Sequence, residues 1–413
     1  MICRRWNNFC LCAAREEDFP ADAKAVRAPF APLVFLVRRR AETSRGMFAI
    51  SSLEELFEQE SVDCLRPCRA GAPGSVRELA AFVAGHGATV LNLEFQNALC
   101  YLRAHFAANR TGLRVTLVGL GDVGGTVLTG LKLLGRELAE IRIFDPNKAM
   151  CARYEMELNQ VLPDVDGRVM PRVTVCSEEE LFDCDLFLFT ASRGVPGLGS
   201  GVRDVRMAQY EANRAMLAHY ARLARTARFM GLFCQISDPV DHLSRCVFLE
   251  SNRDETGAFD AAGLLPEQVQ GFGLGVMAAR AAYYAGKAGL DFHNGRVYGP
   301  HGEGLIVANS AGRDYDEAVS QHLTELARTA NLRVRELGFK PYLAPGLSSA
   351  AISILRLARG TAHHGAVPLA GAYFGCVSRM TRQGLMISRE EICPQLMARI
   401  TGAHRALREF DYR

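Results

Sequence analysis

The glycine-bearing turn at residues 119–124 constrains the fold more than any other feature of the chain. The apolar stretch Leu113-Arg-Val-Thr-Leu-Val reads as a strand, runs into Gly119-Leu-Gly121-Asp122-Val123-Gly124, and is followed by a helical pattern over Val127 to Leu134. In that order the three glycines have separate mechanical tasks. Gly119 makes the tight turn, Gly121 lets the backbone approach a pyrophosphate, and Gly124 allows the helix to pack closely on the strand. The free N–H groups of the helix N-terminus then face the phosphates. A second strand, Ile141-Arg-Ile-Phe, ends in Asp145, about twenty residues beyond the last glycine, where a carboxylate can accept hydrogen bonds from both hydroxyls of a ribose. A 2′-phosphate would meet that carboxylate as a like charge, so the expected cofactor is NAD rather than NADP.

The alternation continues. Nearly continuous apolar runs at Val173 to Cys176, Asp185 to Thr190 and Phe229 to Ile236 read as parallel strands buried on both faces, with helical stretches between them. The expected fold is therefore α/β, a Rossmann-type doubly wound parallel sheet over 113–258, followed by an α+β substrate or catalytic domain over 259–413.

Composition narrows the class of partner. The 48 basic and 45 acidic residues leave a formal charge of +3, which predicts neither a nucleic-acid footprint nor a membrane-surface patch. No uninterrupted apolar run approaches the roughly 20 residues of a membrane-spanning helix. The 13 cysteines are scattered, and the close pairs Cys10 with Cys12 and Cys64 with Cys68 lack the second half of a zinc site, so no metal is expected. Reduced thiols in a cytoplasmic protein are the reading that fits this length.

Residues 1–46 are rich in Arg and Cys and carry the short run Pro32 to Val37 followed by Arg38, Arg39 and Arg40. They are expected to be a disordered leader, with Met47 as an alternative start. Residues 47–112 are expected to form a helical N-terminal extension, with helices around Leu53 to Phe57, Val76 to Ala84 and Leu93 to Ala108.

Several segments from Val115 to about Ile387 resemble, in order and spacing, the lactate and malate dehydrogenases. Gly299-Pro-His301-Gly302-Glu303 resembles the family's catalytic histidine segment, which implies that His301 exchanges the hydroxyl proton, a task suited to a near-neutral pKa. Gly271-Phe-Gly273-Leu-Gly-Val-Met277-Ala-Ala-Arg280 resembles the stretch where a catalytic Asp precedes a substrate-binding Arg by three residues. Arg280 takes the second role, as a bidentate clamp on a substrate carboxylate. Met277 stands in place of the Asp, and a thioether can neither orient the histidine nor stabilise its protonated form.

Ile236-Ser-Asp238-Pro239-Val240-Asp241 is similar to the family's S-N-P-V-D motif with Asp in place of Asn. An ionised Asp238 cannot donate a hydrogen bond to the reacting oxygen. If it reaches His301, however, it supplies the carboxylate that Met277 does not. The Gly-rich segment Ala191 to Arg206, followed by Met207 to Asn213, resembles the family's mobile substrate loop. By that resemblance Arg206 is the carbonyl-polarising arginine and Arg203 a substrate-binding candidate. Near Ser200, where the family distinguishes lactate from malate, neither the lactate-type Gln nor the malate-type Arg is present, and Arg193 or Arg203 would have to fold back to replace the latter. The family's small hydroxyl residue on the pocket wall falls near Lys340 or Pro341. The resemblance also places Asp122, Val123, Thr190 and Ala191 beside Gly119, Gly121, Gly124 and Asp145 at the cofactor.

Two functions follow. One is hydride transfer between nicotinamide and a small 2-hydroxy or 2-keto acid, in the homodimer or homotetramer that the family implies. The other is an NAD-binding member of the fold without turnover, acting as a sensor or interaction protein.

Overall fold

In the computed structural model, which describes residues 1–162, 167, 169–193 and 205–412 and the side chains of all these except 75, 77 and 205–208, the expected strands lie side by side. Their order is Val269–Gly271, Leu232–Gln235, Leu186–Phe189, Leu113–Val118, Leu138–Phe144 and Arg172–Val175, and every neighbouring pair is parallel. Leu186–Phe189 is buried throughout, as a strand covered on both faces must be. Helices Asp122–Leu134 and Lys148–Asn159 lie in one apolar core with the sheet, and Val205–Thr226 and Val240–Ser251 lie in the other. The strand order reverses direction between Leu113–Val118 and Leu186–Phe189, and a crevice opens beyond the carboxyl ends of strands at such a point.

The C-terminal part adds an antiparallel meander, His363–Leu369, Ala372–Thr381 and Gly384–Ile387, to the Val269–Gly271 edge. Helices Leu274–Lys287 and Glu317–Glu336 pack on a separate two-stranded ladder, Arg296–Tyr298 with Ile306–Ala308, around an apolar cluster that includes Val276, Met277 and Leu323.

Residues 1–46 are not a disordered leader. They form strands Ile2–Trp6, Phe9–Ala13, Lys24–Ala25 and Leu33–Val37. In the next segment the three expected helices are present, as 3₁₀ helix Leu53–Phe57, as 3₁₀ helix Gly74–Leu79 running into α-helix Ala80–His86, and as α-helix Ala98–Ala107, with a further 3₁₀ helix at Val62–Leu65; strands Met47–Ile50 and Ala88–Asn92 were not expected. The six N-terminal strands join the meander by pairing Met47–Ile50 with Gly384–Ile387, so a single sheet of 15 strands spans the described chain. The physical reason is burial. Cys10, Leu11, Cys12, Val34 and Phe35 are all fully enclosed, and strands with both faces covered show no alternation of apolar and polar residues. The junction is fixed by the buried carboxylate of Glu267, which accepts the N–H groups of Gly46 and Met47 at 3.0 Å. Burial pushes its pKa up to about 7.

The expectation of wholly reduced thiols is also corrected. Cys3 and Cys12 are direct cross-strand partners and form a disulfide, while the other cysteines are free.

Candidate active site

The glycine turn sits at the switch point of the sheet. Gly119 has φ +94°, and a Cβ there would come within 2.6 Å of the Ala191 nitrogen, so only glycine fits between the two strand ends. A Cβ on Gly124 would lie 1.9 Å from the Gly119 carbonyl oxygen. Gly121 differs. It precedes helix Asp122–Leu134 with φ −68°, and an added Cβ would meet nothing within 4 Å. The turn is thus packed tightly where helix meets strand and open where a pyrophosphate would approach the helix N-terminus. Thr190 closes the floor of the turn, its hydroxyl donating to the Gly119 carbonyl at 2.6 Å. Asp145 accepts the Leu120 N–H and the Asn147 N–H, both at 2.8 Å, which fixes its carboxylate beside the turn with further lone pairs left to bind. This arrangement fits a dinucleotide.

His301 follows strand Arg296–Tyr298 in a tight loop: Gly299 has φ +84°, and a Cβ on it would lie 2.6 Å from the Gly304 carbonyl oxygen. The His301 side chain is 13% exposed, and its Nδ1 lies 3.0 Å from Oδ1 of Asp238, itself 51% exposed. Asp241, in the first turn of helix Val240–Ser251, accepts the His301 backbone N–H at 2.8 Å. Burial pushes the Asp241 carboxyl up to about 6, an effect opposed by that hydrogen bond. Gly273 lets the ring approach, since a Cβ at that position would sit 2.7 Å from His301 Cβ. Asn213 is fully buried, accepts the Arg193 N–H at 2.9 Å and donates to the Asp238 carbonyl at 2.9 Å. It ties the end of the Leu186–Phe189 strand segment to the Asp238 loop.

Asp241, Gly273 and Asn213 carry no role in the sequence reading. The signal for Asp241 was present in the S-D-P-V-D pattern, where an acidic residue at a helix start favours an N–H partner.

Arg280 is half-buried and already engaged. Its guanidinium donates to Asn331, to the Ala327 carbonyl at 3.4 Å and to Met277 Sδ at 3.7 Å. Burial holds its pKa below the usual arginine value. Lys340 reaches the glycine turn, with Nζ 2.9 Å from Oδ2 of Asp122. Arg203 and Ser200 lie outside the described residues, and so does the side chain of Arg206, whose backbone stands in the first turn of helix Val205–Thr226.

No family model matches the chain. A curated relative, malate dehydrogenase from Sulfurimonas denitrificans, is 25% identical over 225 residues, which are 54% of this chain and 63% of the relative. The matched region thus spans less than two thirds of the relative's length. Among solved structures, a lactate dehydrogenase from a Medee basin deep-sea metagenome library superposes with TM-score 0.58 at 17% identity, over 72% of this chain and 98% of that one. The malate dehydrogenase from Archaeoglobus fulgidus in complex with NADH gives the same figures. The minor L-lactate dehydrogenase from Enterococcus mundtii in its ligand-bound form gives TM-score 0.58 at 19% identity, over 72% of this chain and 97% of that one.

Proposed function

On a chain with the fold of the lactate and malate dehydrogenases, we propose an NAD-dependent dehydrogenase that acts on a small 2-hydroxy or 2-keto acid. The observation that carries this reading is the hydrogen bond between His301 and Asp238 beyond the carboxyl end of strand Leu232–Gln235, two strands from Leu113–Val118 and its glycine turn. Bound there, NAD would supply the hydride acceptor, and NADH the donor, at C4 of the nicotinamide. Gly119, Gly121, Asp122, Val123, Gly124, Asp145, Thr190 and Ala191 would hold it.

The protein's own part is proton transfer and orientation. With Nδ1–H held by the Asp238 carboxylate, Nε2 of His301 takes the proton of a hydroxy acid during oxidation. During reduction the imidazolium returns it to the nascent alkoxide. Asp238 stabilises that cation by charge and fixes the tautomer. The family's Asp at the position of Met277 is thereby replaced from a different loop, which accounts for both departures in the sequence at once. Asp241 and Asn213 are positioning residues, one holding the His301 backbone and the other the Asp238 backbone.

Arg280 is proposed as the clamp for the substrate carboxylate, exchanging Asn331 for the acid. Arg206 is proposed as the cation at the reacting carbonyl, and Arg203 as a second substrate contact. A homodimer or homotetramer is proposed from the resemblance alone, and a cytoplasmic location from the number of cysteines left as free thiols.

The test is a scan of 2-keto acids with NADH, followed by absorbance. Turnover with at least one acid, lost in His301→Gln, supports the reading. Normal NADH binding without turnover on any of them would favour the silent NAD-binding alternative.

A further inference from the structure

Strand pairing in the N-terminal part places three sulfur atoms on one face of the sheet. Ile2–Trp6 runs antiparallel to Phe9–Ala13, with Cys3 opposite Cys12 and Arg5 opposite Cys10. Directly opposed residues share a face, and so do residues two apart. Cys3, Arg5, Cys10 and Cys12 therefore form a patch of three cysteine sulfurs, two of them joined in the disulfide, and one guanidinium. The Sγ atoms of the three cysteines lie within 4.8 Å of one another.

Cys10 and Cys12 are fully buried beside their strand partners Leu33 and Phe35, while Cys3 is half-buried and gives the patch its opening to solvent. Arg5 stacks over Phe30 at 4.8 Å, which seats its charge beside Cys10. The Cys10-Cys12 spacing alone offers two ligands; folding supplies the third from a strand that precedes it.

We propose that, once reduced, Cys3, Cys10 and Cys12 form a binding site for a soft monovalent metal ion of the copper(I) class. Three thiolates without a fourth donor suit an ion that accepts trigonal sulfur coordination. A metal about 2.3 Å from each sulfur sets the sulfurs about 4 Å apart in a trigonal plane, so Cys3 and Cys12, bonded in the disulfide, must part on reduction, while Cys10 already lies within 4.8 Å of both. Zinc would need a fourth ligand, and among the described residues no His, Asp, Glu or further Cys joins the group. Arg5 offsets part of the thiolate charge that a monovalent ion leaves uncompensated.

Loading requires the Cys3–Cys12 disulfide to open. A dithiol transfers two electrons and two protons to it, leaving Cys3 and Cys12 as thiols and the dithiol as its own disulfide. Metal binding then displaces the thiol protons to solvent. The oxidised pair is the closed form of the site and the reduced triad its ligating form.

The experiment uses the full-length protein, reduced anaerobically with a phosphine, exchanged, and titrated with copper(I) against a chromophoric copper(I) chelator. The expected result is a single tight equivalent per chain, with three sulfur neighbours by X-ray absorption. It should be absent from the protein left oxidised, lost in Cys3→Ser, whose position is half-exposed, and retained in Cys100→Ser, an exposed cysteine elsewhere. The oxidised wild type needs no substitution in the core and so separates loss of ligands from loss of fold. Tight binding by the oxidised protein, retention of the equivalent in Cys3→Ser, or only two sulfur neighbours at the metal would overturn the proposal.

Discussion

His301 and Asp238 stand 63 residues apart in sequence, yet their side chains meet at 3.0 Å, Nδ1 to Oδ1. The two arrive from different elements. His301 lies in the loop after Arg296–Tyr298, and Asp238 in the turn between strand Leu232–Gln235 and helix Val240–Ser251. An acidic residue that would repel a developing oxyanion becomes intelligible when its partner is an imidazole. The first turn of the helix that follows supplies Asp241 to the His301 backbone, so the histidine is held at two points from one short stretch of chain.

The N-terminal strands should matter to folding. Deleting residues 1–46 removes Leu11, Val34 and Phe35, each fully buried, and strips the Ala88–Asn92 strand of its parallel neighbour. We expect that truncation to aggregate or to melt far below the full chain, and Phe35→Ala alone to cost about 3–5 kcal/mol in denaturant unfolding. An unchanged melting temperature for the truncated chain would refute the role given to these strands.

The parallel strands between residues 113 and 236 were legible because the glycine turn and the apolar runs after it leave few alternatives, whereas Val269–Gly271 and the ladder Arg296–Tyr298 with Ile306–Ala308 were not read as strands. Leu186–Phe189 and Leu232–Gln235 fall inside the runs read as strands. The first 46 residues misled for a physical reason. Phe9–Ala13 and Leu33–Val37 are short and buried on both faces, so neither a period of two nor a helical period appears. In the site, the substitutions at 238 and 277 were visible as departures, but the contact of Asp238 with His301 depends on how two distant loops close. The engagement of Arg280 by Asn331 depends on the packing of Leu274–Lys287 against Glu317–Glu336 and has no local signature.

The glycine turn makes a prediction with an internal control. Gly121→Ala meets no atom within 4 Å, so it should leave the melting temperature unchanged while weakening NADH binding about tenfold or more, because its methyl group would enter the space of the pyrophosphate. Gly124→Ala, with its Cβ 1.9 Å from the Gly119 carbonyl oxygen, should lower both. Unaltered NADH affinity in Gly121→Ala, by fluorescence titration, would rule out a pyrophosphate at this turn.

Asp145 should select the cofactor. Its carboxylate is fixed by the N–H groups of Leu120 and Asn147, so it cannot easily turn away from a 2′-phosphate. NADH should bind much more tightly than NADPH, and Asp145→Ser should narrow the difference. Equal affinities in the unmodified protein would contradict this assignment.

Glu267 predicts a pH dependence of stability. Its folded pKa, about 7, lies above the ordinary 4.5, so the folded state holds the proton more tightly than the unfolded one. The resulting stabilisation is complete below about pH 4.5 and is lost as pH rises through about 7, an effect on the order of 3 kcal/mol at most. Glu267→Gln should flatten the fall in melting temperature across that window. An equally steep fall in the variant would assign the effect to other groups, Asp241 first among them.

The most direct measurement of the central claim is the turnover of NADH with a 2-keto acid by Asp238→Asn, at saturating cofactor and with its binding checked by fluorescence. If Asp238 is the working partner of His301, kcat should fall on the order of 10² to 10⁴-fold with NADH affinity unchanged, and Met277→Asp added to that variant should restore part of the loss. An Asp238→Asn protein that turns over as fast as the original, or faster because an amide now donates to the reacting oxygen, would contradict the account and return Asp238 to the role of a substitution the enzyme merely tolerates.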